Sequence, residues 1–244
     1  MSGTPPPGLW RARFSGAARK PTVILLLAPL LLTTFKYYGS KSFYLSELAG
    51  KFVLLNDPVR TAELWHFCSG FLLLGALPAL VVRLVFKESL ADYGVQRGDT
   101  RFSLKALLVL LPVMVALTYP AARVPGFLAE YPVDPGAGSS AAAFLSHAGT
   151  YLVYYAGWEF FFRGFMQFGL RGALGDWNAI LVQTLASCLI HIGKPAGEIY
   201  GAILAGLVWG LLVFRTRSLW PVVLMHWVLG VSLDFFICFT AKGG

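Results

Sequence analysis

Charge is what this sequence lacks. Asp, Glu, Lys and Arg make up 13% of its 244 residues while 57% are hydrophobic, against about 25% and about 45–50% in ordinary globular domains. With a mean hydropathy of +0.65, too little polar side chain remains to cover a water-facing surface. Disorder is excluded on the same count, because disordered chains are poor in apolar residues. Cysteine is scarce too: Cys68, Cys188 and Cys238 stand far apart with no CxxC spacing, so neither a disulfide framework nor a zinc cluster is indicated. HExxH, GxSxG, P-loop and GxGxxG motifs are all missing. Their absence removes the familiar helix-borne zinc motif, the serine hydrolase elbow, and nucleotide or dinucleotide chemistry. The net charge of +8 is scattered rather than gathered on one patch, which argues against nucleic acid as a partner.

What the chain has is long apolar stretches. Seven approach the roughly 20 residues a spanning helix needs: about 22–38, 62–86, 103–122, 143–171, 177–193, 197–215 and 219–239. The expectation is an all-α polytopic membrane protein in contact with the lipid bilayer. No small-residue cleavage site follows the first stretch, which reads as a retained helix rather than a signal peptide. With the N-terminus cytoplasmic, twelve Lys and Arg fall on the inner side and seven on the outer, which favours that orientation. The division expected is a tail over 1–21, peripheral helices and loops over 22–142, a core four-helix bundle over 143–239, and a tail over 240–244. The connection at 123–142, rich in Pro, Gly, Ser and Ala, reads as a mobile outer loop. Gly206 and Gly210, with Ala202 a turn earlier, form a small-residue stripe for close helix packing.

Ionisable side chains within a membrane are costly, and the last four helices hold several: Glu159, Arg163, His191, His226 and Asp234. Glu159 and Arg163 are four apart and can pair on one helix face. His191 precedes Gly193-Lys194-Pro195, which ends a helix; His226 follows Trp220-Pro221, which starts one. Asp234 lies two turns beyond His226. At about 1.5 Å per residue, Glu159, His191 and Asp234 fall about 18, 21 and 22 Å from the inner helix ends, and His226 and Arg163 about 10 and 12 Å. His66 and His147 have no such company and read as background. A carboxylate and a His can hold and deprotonate a water while a second His donates to an oxyanion. The same groups could instead ligate a divalent metal such as zinc, which would activate the water.

At Trp158-Glu159-Phe160-Phe161-Phe162-Arg163-Gly164 the chain resembles the CPBP family of intramembrane proteases, which includes CAAX prenyl endopeptidases, bacteriocin-processing and self-immunity proteins, and bacterial proteases proposed to process C-terminal sorting signals. The family pattern is Glu-Glu-xxx-Arg, then Phe-xxx-His, then His-xxx-Asn/Asp on successive core helices. Glu159 and Arg163 match the second Glu and the Arg, and His191 and His226 match the two histidines. Ala91-Asp92-Tyr93-Gly94 and the residues to Asp99 look like the segment before an earlier core helix, so the resemblance covers roughly 90–240. Three positions depart: Trp158 stands at the first Glu, the usual water-activating base; Ser187 replaces the Phe; Gly230 replaces the Asn or Asp of the oxyanion site. The resemblance implies a glutamic-type endopeptidase, without a cofactor, that cleaves a membrane-anchored protein or peptide near its C-terminus. It also implies residence in a bacterial inner membrane. In that reading Glu159, His191 and His226 are catalytic, with Arg163, Asp234 and Glu198 supporting. A metal-dependent protease, or an inactive binding or immunity protein on the same fold, stand as alternatives.

Overall fold

A hydrocarbon core offers no water to backbone N–H and C=O groups, so apolar runs of this length satisfy those groups internally as helices. The computed structural model describes residues 16–54 and 57–240, and no strand occurs among them. The ends of the expected tails, residues 1–15 and 241–244, lie outside the described residues. Six continuous helical runs are long and apolar enough to cross a membrane, and the fourth, Ala141–Ile190, has 50 residues. A straight helix of that length would measure about 75 Å, more than twice a hydrocarbon core of about 30 Å. Gly175, at φ 76° and ψ 169°, breaks it in a conformation that only glycine adopts cheaply. Seven spans result.

They are α1 (Gly16–Tyr38), α2 (Pro58–Phe86), α3 (Thr100–Ala121), α4 (Ala141–Glu159 with its wide-turned continuation Phe160–Phe168), α5 (Gly169–Ile190, whose first turn prolongs α4 as far as the break at Gly175), α6 (Ala196–Thr216) and α7 (Trp220–Phe239). Side-chain oxygens start several of them: Asp57 accepts from the N–H groups of Val59 and Arg60, Asp99 from Phe102 and Ser140 from Ala143. Contacts at the helix ends show the alternation in direction. At the end holding the start of α1, Lys20 pairs with Glu88 at 2.7 Å and Arg215 with Asp99 at 2.9 Å. At the opposite, distal end, Arg60 meets Asp134 at 2.9 Å and Lys194 pairs with Glu130.

Small residues let the helices approach. A Cβ on Gly75 of α2 would lie 2.9 Å from Cα of Gly157 on α4, and one on Gly206 of α6 would lie 2.5 Å from the Thr184 hydroxyl on α5. Across the latter contact Nε2 of Gln183 donates to the Gly206 carbonyl, and Nε2 of Gln167 to that of Gly210, each at 2.9 Å. The small-residue stripe thus exposes backbone acceptors to buried amides.

The connection between α3 and α4 differs from the loop expected there. It carries a short helix, Pro125–Glu130, and buries Val133, Asp134 and Ala137. Lys41 donates to the Val133 carbonyl at 2.6 Å, and the Arg60 and Lys194 pairs add two more ties. Composition suggested mobility, but cations from three other parts of the chain pin the segment as a strap across the distal end.

Candidate active site

Successive helical residues point about 100° apart, so Trp158 and Glu159 cannot share a direction. Trp158 faces a cavity of about 330 Å³ that is also lined by Tyr155, Arg163, Ser187, His191 and His226. Glu159 does not line it; the side chain is fully buried behind His226. Nδ1 of His226 donates to Oε1 of Glu159 at 2.6 Å, and Nη1 of Arg163 donates to the same oxygen at 3.2 Å. Glu159, expected as a base facing substrate, is instead a carboxylate wedged between an imidazole and a guanidinium. Its second oxygen has no partner among the described residues and is sealed from the cavity.

Aromatic rings hold His226 in place. Its ring lies 4.1 Å from that of Tyr155 and 5.0 Å from that of Trp209, over which the Arg163 guanidinium also sits at 5.5 Å. Gly230, one turn beyond His226 on α7, stands where the resemblance expects an Asn or Asp. A Cβ there would collide with the Tyr155 hydroxyl. A tyrosine from α4 thus fills the space that a polar side chain from α7 would take. The Trp158 indole N–H is buried with no acceptor among the described residues.

His191 closes α5. The Ser187 carbonyl can only accept, so the 2.5 Å contact places a proton on Nδ1 of His191 and leaves Nε2 with its lone pair in the neutral ring. Both imidazoles stand nearly at right angles to the Trp158 indole, His191 at 5.5 Å and His226 at 6.5 Å between ring centres. Nε2 of His191 lies 3.9 Å from Oε1 of Glu198, in the first turn of α6. That oxygen accepts from the Tyr131 hydroxyl of the strap at 2.8 Å, and Oε2 of Glu198 has no partner among the described residues. Burial and then the Glu198 charge push the Tyr131 phenol well above its ordinary value, so it stays a donor.

A second cavity, about 420 Å³, shares Tyr131, Tyr155, Trp158, His191, Glu198 and His226 with the first. The two differ in character. The first runs between α3, α6 and α7 along Leu117, Ala121, Ala202 and Leu233. The second opens toward Lys36, Lys41, Lys194 and Glu130 at the distal end. Their walls come from α1, α3 and the strap as well as from the last four helices.

Asp234, expected to assist this site, belongs elsewhere. Eight residues separate it from His226, about 12 Å along the axis, and its Oδ2 bonds Nε2 of His147 at 2.8 Å. Nδ1 of His147 lies 2.5 Å from Oε1 of Glu63. Arg60 bridges Glu63 and Asp134, the latter at 2.9 Å, and reaches Ser146 at 2.8 Å. His147, which the sequence presents without company, is therefore the hub of a buried ionic cluster joining α2, α4, α7 and the strap. Glu63, Asp134 and His147 have ligand atoms within 4.8 Å of one another. The Arg60 guanidinium already supplies a cation to both of those carboxylates. The His191, His226 and Glu159 donors form no such convergent set among the described residues.

Residues 139–231 match the family model described as type II CAAX prenyl endopeptidase Rce1-like. No curated protein and no solved structure matches the chain.

Proposed function

The core of this chain, residues 139–231, belongs to the type II CAAX prenyl endopeptidase Rce1-like group of CPBP intramembrane proteases, and from that premise we propose that it is a glutamic-type endopeptidase that hydrolyses a membrane-tethered protein near its C-terminus. The observation that carries the reading is the pair of adjacent cavities that share one row of polar groups. An apolar chamber between spanning helices suits a hydrophobic tail; a chamber bordered by Lys36, Lys41 and Lys194 suits the polar chain beside it. The scissile bond would lie where the chambers meet, against Trp158, His191 and His226.

Two sides of that junction divide the work. On the His191 side, a neutral imidazole offers a lone pair to a water. On the His226 side, Nδ1 donates to the Glu159 carboxylate, which fixes the ring, and in the protonated ring the remaining N–H on Nε2 would donate to the oxyanion. The Tyr155 hydroxyl and Trp158 indole are further donors on this side, in place of the residue lost at Gly230. Glu159 then acts through His226 and lines neither chamber, while Arg163 holds Glu159 from the wall of the apolar one.

The cation excess at the end holding the start of α1 favours a cytoplasmic N-terminus. The strap and the polar chamber then open outward, as suits a C-terminal sorting tail in a bacterial inner membrane better than a cytoplasmic CAAX tail. Labelling single-cysteine variants at Ser42 and Arg97 with a membrane-impermeant maleimide in intact cells tests this. Ser42 reacting and Arg97 staying protected is expected, and the reverse pattern overturns the outward reading.

A further inference from the structure

Trp158 leaves this site without the carboxylate that the resemblance places at that position, and a Trp side chain cannot accept a proton from water. We propose that Glu198 supplies it: a carboxylate from α6, not α4, is the general base that activates water together with His191. This rests on the endopeptidase reading and names its missing catalytic residue.

Four observations bear on it. Glu198 lines both cavities, which neither Glu159 nor Asp234 does. Its Oε1 lies 3.9 Å from Nε2 of His191, a separation one water can bridge while bonding both. Tyr131 holds that oxygen at 2.8 Å and fixes the carboxylate on the cavity wall. Oε2 is buried without a partner among the described residues. A carboxylate serving only to pin the strap would have no reason to leave one oxygen unmatched, since a buried acceptor without a donor costs stability. The other carboxylates with an unmatched oxygen, Glu159 and Asp234, have no exposed surface.

The step balances without any further reactant. Glu198 takes one proton from the water held between it and Nε2 of His191, and the water oxygen forms a bond to the scissile carbonyl carbon. The carbonyl π pair moves to oxygen and is met by the donors around His226. As the C–N bond breaks, the leaving nitrogen takes the proton back from Glu198, giving an amine and a carboxylic acid that ionises.

The test uses the full chain in proteoliposomes. The probe is a pooled peptide library joining a variable polar segment to a C-terminal apolar helix of about 20 residues, long enough to span, with products read by mass spectrometry. A general base is worth about 100-fold or more. Glu198→Gln is expected to lower kcat by at least about that factor, with KM and Tm unchanged. Glu198→Asp, which keeps the carboxylate but shortens its reach, should retain part of the rate. The sharpest arm is Trp158→Glu in the Glu198→Gln background: a carboxylate restored on α4 should recover at least about tenfold of the lost rate. If His191→Ala and His226→Ala abolish cleavage while Glu198→Gln keeps the wild-type rate, the endopeptidase reading stands and Glu198 is not its base. If folded wild-type protein cleaves no library member, the endopeptidase reading falls and this proposal with it.

Discussion

Replacing Glu159 by Gln separates a positioning residue from a base. The substitution keeps shape but removes a charge that sits 2.6 Å from Nδ1 of His226 and 3.2 Å from Arg163, with side-chain exposures of 0% for Glu159 and 2% for Arg163. Breaking a buried ion pair by removing one partner costs about 3–5 kcal/mol, most of it the uncompensated charge left behind. In a chain of this size, taking about 2–4 °C per kcal/mol, Tm should fall by roughly 6–20 °C. Activity should fall as well, because His226 loses the charged acceptor that orients its ring, but only in kcat and by about 10–100-fold. KM should hold, since Glu159 touches neither cavity. The assay pairs a thermal-shift measurement in detergent with initial rates on the same preparation. An unchanged Tm with activity lost entirely would mean that Glu159 works on the substrate directly, and the assignment of His226 as its dependent would fail.

Three further outcomes follow from the same geometry. His147→Leu leaves Asp234 and one oxygen of Glu63 unpaired in the buried cluster, so Tm should drop by an amount matching about 3–5 kcal/mol, with KM of the surviving folded protein unchanged; an unaltered melting curve would contradict the cluster's role as a tie. Tyr131→Phe removes the donor that fixes Glu198 on the cavity wall, so kcat should fall by roughly tenfold, the equivalent of one hydrogen bond to a charged group, and a kcat identical to wild type would show that the strap does not act on that residue. EDTA or 1,10-phenanthroline should leave cleavage unaffected, because His191, His226 and Glu159 form no convergent set of donors among the described residues; loss of activity restored by added zinc would favour the metal-dependent alternative.

The spanning helices and the family resemblance were legible in the sequence because both rest on local order: apolar runs of bilayer length, and short motifs whose residues sit within one or two turns. The rotation of α4 was not. Whether Trp158 or Glu159 faces a cavity depends on how α4 packs against α2 and α7, and the close Gly75–Gly157 crossing that helps set it joins positions far apart in the chain. The His147 cluster was hidden for the same reason, its partners Glu63 and Asp234 lying 84 and 87 residues away. Asp234 carried a local signal that could have been read: two helical turns from His226 is too far for one site. The strap shows the limit of composition. Its Pro, Gly and Ser residues suggested movement, whereas Asp134, Glu130 and the Val133 carbonyl meet Arg60, Lys194 and Lys41. Tyr131 went unnoticed among them because nothing nearby in sequence marks Glu198 as its partner.

Endopeptidase activity centred on the two imidazoles is the claim on which the rest depends. It is tested most directly by comparing wild type with His226→Ala in proteoliposomes, on the tail-anchored peptide library, at matched folded fraction. A defined new terminus is expected from the wild-type protein, with at least about 100-fold less product from the variant. No product from folded wild type, or equal product from both, would contradict it.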